Sequence, residues 1–91
     1  MYIHLGNEKL IRTDEIIGIF DLESTTISKR SRDFLTKAEK AKEVVTITYE
    51  LPKSFVVCAK PKQKKQTVYI SQISSSTLLK RSGYIDSMHN G

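Results

Sequence analysis

The chain opens with two short apolar segments separated by a turn signal. Tyr2 to Leu5 has the pattern of a short strand, and Gly6-Asn7 marks a tight turn, because both residue types tolerate unusual backbone angles. Lys9 to Arg12 contains an apolar pair directly after that turn. The pattern therefore predicts a β-hairpin in the first part of the chain.

The next apolar segment, Ile16-Ile17-Gly18-Ile19-Phe20, has no polar side chain. Short continuous apolar runs are typical of strands that are buried on both faces. We therefore predict a central strand that is covered on both sides. Gly18 indicates a bulge or a close backbone approach within it.

A helical pattern follows. Thr25 or Thr26 is predicted to cap a helix that runs to about Lys42. The stripe on one side of this helix is narrow and holds mostly small residues, which predicts loose packing or a place at the edge of the fold. The stripe consists of Ile27, Ser31, Phe34, Leu35, Ala38 and Ala41.

The second half of the chain alternates strands and turns. Val44 to Tyr49 predicts a half-buried strand, Phe55 to Ala59 a fully apolar strand, and Thr67 to Ile70 a strand that returns after a polar loop. The serine run that begins at Ser74 offers an N-cap for a helix from Leu78 to Tyr84.

These elements predict an α+β fold, with a small, mostly antiparallel sheet and two helices in a single domain. We assign residues 1–86 to the domain and residues 87–91 to a flexible tail, because the tail has no packing signal. A chain of 91 residues buries a modest core, so a homo-oligomer is a natural way to extend it.

Charge is unevenly distributed along the chain. Residues 1–25 hold two cations and five anions, residues 26–43 hold six cations and three anions, and residues 44–91 hold seven cations and two anions. This asymmetry indicates an oriented molecule with one basic side, for which nucleic acid is the usual partner. A solvated surface tuned for solubility explains the charges equally well.

The densest basic feature is the loop from Lys60 to Gln66. Its lysines can reach DNA phosphates, since lysine is a point charge on a long flexible stem, or they can protect a sheet edge from aggregation. The helix cations are more typical of a solvated face. We predict that the nucleic-acid contacts are Lys53, Lys60, Lys62, Lys64 and Lys65, with Arg12 nearby.

The sequence offers no pattern for catalysis, a metal or another cofactor. His4 and His89 lie beside no cysteine or carboxylate at ligand spacing, and His4 is expected to be a hydrogen-bonded strand residue. Cys58 lies in an apolar run and is expected to be a buried core thiol. We therefore expect a protein that is not an enzyme.

Two features bear on the compartment. The start, MYIHLGNEKL, lacks a basic leader followed by an apolar stretch, and no apolar run approaches the ~20 residues that cross a bilayer. The single cysteine fits a reducing environment. We expect a cytoplasmic protein that does not contact membranes.

Four segments together resemble the RemA/RemB family of extracellular matrix regulators, and most closely its RemB branch. They are YIHLG from Tyr2, IIGIFD from Ile16, PKSFVV from Pro52 and SSSTLLKR from Ser74. The resemblance implies a bacterial regulator of matrix (biofilm) genes that works on double-stranded DNA. It also implies a homo-oligomer, since RemA proteins form rings that present basic residues to DNA.

The sequence departs from the family at two basic positions. RemA-type sequences carry an arginine before the strand equivalent to Ile16–Phe20, where this chain has Glu15. They carry an arginine pair before the strand equivalent to Phe55–Ala59, where this chain has Leu51-Pro52. The departures favour a rival function, an assembly or adaptor protein that acts through protein contacts, while the Lys60–Lys65 loop favours DNA.

Overall fold

The computed structural model describes residues 1–23, 28–48, 50–60 and 62–82. Within these ranges it contains two helices and two sheets, which confirms the predicted α+β class. The strands are Tyr2–Gly6 (β1), Lys9–Arg12 (β2), Ile16–Asp21 (β3), Val44–Thr46 (β4), Ser54–Ala59 (β5) and Gln66–Ser71 (β6). The helices are Lys29–Lys40 (α1) and Ser75–Arg81 (α2), and a 3-10 turn, Thr13–Glu15, joins β2 to β3.

The predicted hairpin is formed by β1 and β2, which pair antiparallel. Its turn lies one residue later than predicted, at Asn7 and Glu8, whose φ angles are 46° and 64°. Two consecutive positive φ angles match the right-handed twist of the flanking strands. The Glu8 N–H donates to His4 Nε2 at 3.2 Å, which confirms His4 as a hydrogen-bonded strand residue.

The second sheet has the order β3-β5-β6-β4. β5 pairs antiparallel with both β3 and β6, whereas β4 runs parallel to β6. Every residue of β5 from Ser54 to Cys58 is buried, because this strand lies inside the sheet and both of its faces are covered.

The two faces of this sheet carry separate apolar clusters. On one face the β1–β2 hairpin and α2 pack against Val56 and Cys58, together with Ile3, Leu5, Ile11, Ile47 and Leu78. On the other face α1 places Ala38, Phe34 and Leu35 against Phe55, Val57 and Val68. The fold is therefore three layers, with the four-stranded sheet in the middle.

The prediction that Ile16–Phe20 forms a central strand covered on both sides was wrong. β3 is an edge strand, and none of its six residues is buried. A run of apolar residues indicates β structure but carries no information on which strands flank it. The bulge expected at Gly18 is confirmed by a register shift between Ile16 and Gly18, and a Cβ at Gly18 would lie 2.7 Å from the Phe20 ring.

The strand predicted from Val44 to Tyr49 is shorter, and β4 ends at Thr46. Ile47 and Thr48 are buried beyond it, where Ile47 N–H donates to the Ile70 carbonyl and Thr48 Oγ1 donates to Gln72 Oε1. The apolar alternation thus reflects packing of a loop as well as a strand. Tyr49 lies outside the described residues.

Both helices start at a serine cap. α1 begins later than predicted, because Ser28 Oγ accepts the Ser31 N–H at 3.2 Å; Thr25, Thr26 and Ile27 lie outside the described residues. α1 ends at Lys40, two residues before the predicted Lys42. The predicted cap of α2 is confirmed, since Ser74 Oγ accepts the Thr77 N–H at 3.3 Å. α2 begins at Ser75, three residues before the predicted Leu78, and ends at Arg81, before the predicted Tyr84. Tyr84 itself and the tail 87–91 lie outside the described residues.

A buried serine joins the hairpin to the four-stranded sheet. Ser71 Oγ donates to the Leu5 carbonyl at 2.7 Å and accepts the Ile73 N–H at 3.0 Å. These bonds satisfy groups that neither sheet pairs by itself. In the part of the chain that the structure describes, neither helix has the length and apolar character needed to span a membrane.

Candidate nucleic-acid interface

The basic loop lies at the tip of the β5–β6 hairpin, as predicted. Its turn is closed by a hydrogen bond from the Gln63 N–H to the Lys60 carbonyl at 3.0 Å. Lys60, Lys62, Lys64 and Lys65 are all exposed, and Pro61 lies outside the described residues. Four flexible cations therefore project from one end of the sheet, which is the arrangement that phosphate contact requires.

Arg12 lies near the same end of the sheet. It is the last residue of β2, and the short turn after it leads to Ile16, which pairs with Cys58 two residues before Lys60. Its guanidinium forms two bonds to the Asp14 carboxylate, at 2.7 and 3.1 Å. The pair is exposed and so contributes little to stability, but Asp14 offsets the charge that Arg12 offers to an anion.

Lys53 does not join this group. It precedes β5, whereas Lys60 follows it, so the strand separates the two by roughly 23 Å at the usual rise per residue. Lys53 N–H donates to the Ser71 carbonyl, and its own carbonyl accepts the Leu22 N–H, both at 2.9 Å. The structure thus gathers five of the six predicted contacts at one end and leaves Lys53 at the other.

Glu15 lies inside the basic cluster. A shallow depression of about 40 Å³ is lined by Glu15 together with Lys60, Lys65, Cys58, Ala59, Gln63, Thr67 and Tyr69. A carboxylate here repels the phosphates that the surrounding lysines attract. The residue that departs from the family pattern is therefore placed where it opposes anion binding.

Two of the side chains that line this depression have raised pKa values. Burial, and secondarily the negative charge of Glu15, raises the pKa of the Cys58 thiol from 9.0 to about 11. Burial first, then Cys58 and Glu15, raises the pKa of the Tyr69 hydroxyl. The expectation that Cys58 is buried is confirmed, and its protonated form is a poor nucleophile.

Lys9 was not among the predicted contacts, yet it borders this surface. Its Nζ lies 5.3 Å from the centroid of the Tyr69 ring, a cation–π distance. The sequence held no local signal for this, since the contact joins β2 to β6 across two sheets. Among the described residues no group of three or more His, Cys, Asp or Glu side chains is placed to hold a metal ion; His89 lies outside them.

Comparison with known proteins identifies the family. Residues 2–81 match the RemA-like family, described as extracellular matrix regulatory protein A-like. The chain is also 40% identical over 85 residues to extracellular matrix regulatory protein B of Bacillus subtilis (strain 168), covering 93% of this chain and 94% of that protein. The resemblance stated from four short segments is thereby confirmed. The chain belongs to the RemA-like family of extracellular matrix regulatory proteins.

Proposed function

We propose that this chain regulates extracellular matrix genes by binding double-stranded DNA as a homo-oligomer. Family membership and the 40% identity to a matrix regulatory protein support the regulatory role. The observation that carries the DNA mode is the group of exposed cations at the β5–β6 end of the sheet, formed by Arg12, Lys60, Lys62, Lys64 and Lys65. A chromosomal target requires the protein to act in the cytoplasm.

The proposed contacts go to phosphate and not to base edges. Lysine supplies a single point charge, whereas base reading relies on forked groups such as arginine or asparagine. Arg12, the one arginine of the group, is already paired with Asp14. The affinity for duplex DNA should therefore depend weakly on sequence and strongly on salt.

A salt titration of duplex binding tests this mode. For each phosphate neutralised, log K falls by about 0.9 per unit of log salt. Replacing Lys62, Lys64 and Lys65 by alanine should flatten the slope by roughly two to three units if all three touch phosphate. The fold should persist, because these side chains are exposed at a hairpin tip.

A charge-matched control separates the loop from net charge. The variant K29A/R32A/K37A removes three exposed cations from α1 and leaves the loop intact. Its slope should equal that of the parent. If the parent and the loop variant have equal slopes, the loop lysines do not contact phosphate and serve only to keep the sheet edge soluble.

The rival function is an adaptor that acts through protein contacts. Glu15 shares a depression with Lys60 and Lys65, and Arg12 is paired with Asp14. Both features weaken the anion-binding surface and favour this alternative. The two functions give opposite results at low salt. An absence of duplex binding at low ionic strength, with the oligomer intact, would support the adaptor.

A further inference from the structure

A groove between β3 and α1 combines apolar walls with a few polar side chains. Its volume is about 350 Å³. Small-molecule sites in proteins begin at about 300 Å³, and an engineered apolar cavity of about 150 Å³ binds benzene. The polar side chains of the groove are Arg30, Ser31 and Gln66, and the other residues that line it are apolar. This composition is typical of a site for a small ligand that is apolar along most of its length.

Three phenylalanine rings line the groove in a nearly parallel arrangement. The Phe55 ring stacks on Phe20 with centroids 4.8 Å apart and planes 16° apart, and on Phe34 with centroids 6.2 Å apart and planes 22° apart. Phe55 is buried, whereas Phe20 is 42% exposed and Phe34 is partly buried. Aromatic surface is therefore left for a ligand, and it favours a flat ring over an aliphatic chain because rings can stack.

Arg30 is the charged residue of the groove, and it has no carboxylate partner among the described residues. None of the described residues that line the groove is acidic, and the one ion pair within the described ranges joins Arg12 to Asp14. Asp33, about one turn after Arg30 on α1, is therefore beyond ion-pair distance of it. A guanidinium beside apolar surface suits a carboxylate, which it can bind through two parallel hydrogen bonds.

The first turn of α1 adds positive potential at the same place. Arg30 and Ser31 both belong to this turn, whose free N–H groups form the positive end of the helix dipole, and the turn contains no acidic residue. Ser28 Oγ donates to Ser31 Oγ at 3.1 Å, so the Ser31 hydroxyl is left to donate to another oxygen. A carboxylate at this end of the groove meets a guanidinium, a hydroxyl donor and a helix N-terminus together.

The neighbouring groove, between β3 and α2, lacks both features. It has the same volume of about 350 Å³, but none of the described residues that line it is charged, and Phe20 is the one aromatic residue among them. Since the two grooves have equal volumes and share Ile17 and Phe20, the phenylalanine rings and Arg30 distinguish the first groove as a site for an aromatic anion.

We propose that the groove between β3 and α1 binds a small aromatic carboxylate. The ring system of the ligand packs against Phe20 and Phe34, and its carboxylate accepts hydrogen bonds from the Arg30 guanidinium and the Ser31 hydroxyl. The site uses none of the loop lysines and does not depend on DNA binding, so it goes beyond the proposed function.

Calorimetric titration of the full chain with 2-naphthoate tests the site. Titration to about 1 mM ligand should show binding to the parent, since it covers Kd values up to that concentration. R30Q should weaken binding about tenfold, because it removes a charge-assisted contact from a partly exposed site. R32Q is the matched control, since Arg32 is exposed on the same helix and does not line the groove. An equal loss in both variants would mean that net charge alone attracts the anion, which overturns the site.

Two further ligands separate the contacts of the carboxylate from those of the rings. The uncharged analogue 2-naphthamide should bind the parent about tenfold more weakly than 2-naphthoate and should not respond to R30Q. An equal loss of both ligands in R30Q would overturn the carboxylate contact. Octanoate has the charge but no ring, so it should bind more weakly than 2-naphthoate, and F20L should narrow the difference. Tighter binding of octanoate would overturn the aromatic class of ligand.

The loop variant K62A/K64A/K65A tests where the ligand binds. It should bind 2-naphthoate as the parent does, and circular dichroism should show all variants folded. Nuclear magnetic resonance of the isotopically labelled parent should show ligand-induced shifts at Phe20, Arg30, Ser31 and Phe34. Loss of binding in the loop variant, shifts confined to the loop or to Leu79 and Ser82, or no binding to the parent up to about 1 mM would each overturn the site.

Discussion

At the scale of single residues, Glu15 decides the electrostatics of the candidate site. It shares a depression with Lys60 and Lys65, so its carboxylate offsets part of the field that the loop presents to an anion. This effect requires both the negative charge and its position near the loop. A glutamate at the far end of β3 would not change the electrostatic field at the loop lysines. We therefore expect Glu15 to lower the affinity of the proposed DNA site without taking part in a phosphate contact.

We expect E15Q to bind duplex DNA about threefold more tightly at low salt, since two unit charges ~7 Å apart in water interact by about 0.6 kcal/mol. The gain should shrink as salt screens the field. Fluorescence anisotropy at two salt concentrations measures both effects. E23Q is the control, because Glu23 follows the opposite end of β3; an equal gain in E23Q would mean that only net charge matters.

Cys58 makes the stability of the fold sensitive to alkaline pH. The thiol has a pKa of about 11 in the folded chain and 9.0 ordinarily, so the folded chain keeps a proton that the unfolded chain releases. The free energy of unfolding should therefore fall as the pH rises from about 9 to 11. Urea unfolding of the parent and C58A at several pH values measures this; parallel pH profiles for the two proteins would contradict the assignment.

At the scale of elements, the hairpin and the four-stranded sheet are separate hydrogen-bonded units held by side chains. Ile3, Leu5 and Ile11 fill the space over Val56 and Cys58, and the fully buried Ser71 bridges the two sheets. The contact joins residues 66 positions apart, so it depends on both units being formed. Polar side chains here set how the hairpin sits on the sheet.

We expect S71A to lower the free energy of unfolding by about 1–3 kcal/mol, the usual cost of leaving buried polar groups unpaired. The Leu5 carbonyl and the Ile73 N–H would both lose their partner. Urea denaturation gives the value. T36A serves as the reference, since Thr36 Oγ1 bonds to the Arg32 carbonyl on an exposed helix face and should cost far less.

At the scale of the whole molecule, the proposed homo-oligomer would strengthen the proposed DNA binding. A homo-oligomer presents one basic loop per subunit, so weak phosphate contacts act together on one duplex. The loop lysines project from the β5–β6 tip, at one end of the four-stranded sheet.

We expect parent affinity to rise with duplex length, by about 100-fold between a duplex that spans one subunit and one that spans several, through raised effective concentration. The loop variant K62A/K64A/K65A should bind more weakly at every duplex length, because it lacks three of the proposed phosphate contacts. Electrophoretic mobility shifts with a series of duplex lengths measure this. Equal parent affinity for all duplex lengths would contradict binding through several subunits.

Local pattern was enough to identify most of the elements. The turn residues before Lys9 predicted the hairpin, the serines before Leu78 predicted a cap, and the lysines from Lys60 predicted an exposed tip, because each depends on residues close in sequence. The motifs that carry the family resemblance are likewise short segments. The sequence by itself therefore determined the α+β class, the family and the basic loop.

Only the tertiary structure decided which strand lies at the edge and which charges share a surface. β3 is as apolar as β5, yet β5 gained neighbours on both sides and β3 on one, since strand order depends on pairings between distant segments. Likewise Lys53 is closer in sequence to Lys60 than Glu15 is, but the extended β5 separates the two lysines while folding brings Glu15 to Lys60. The alternation of polar and apolar residues along a chain indicates which side chains are buried. Which residues become neighbours in space depends instead on how distant segments pair.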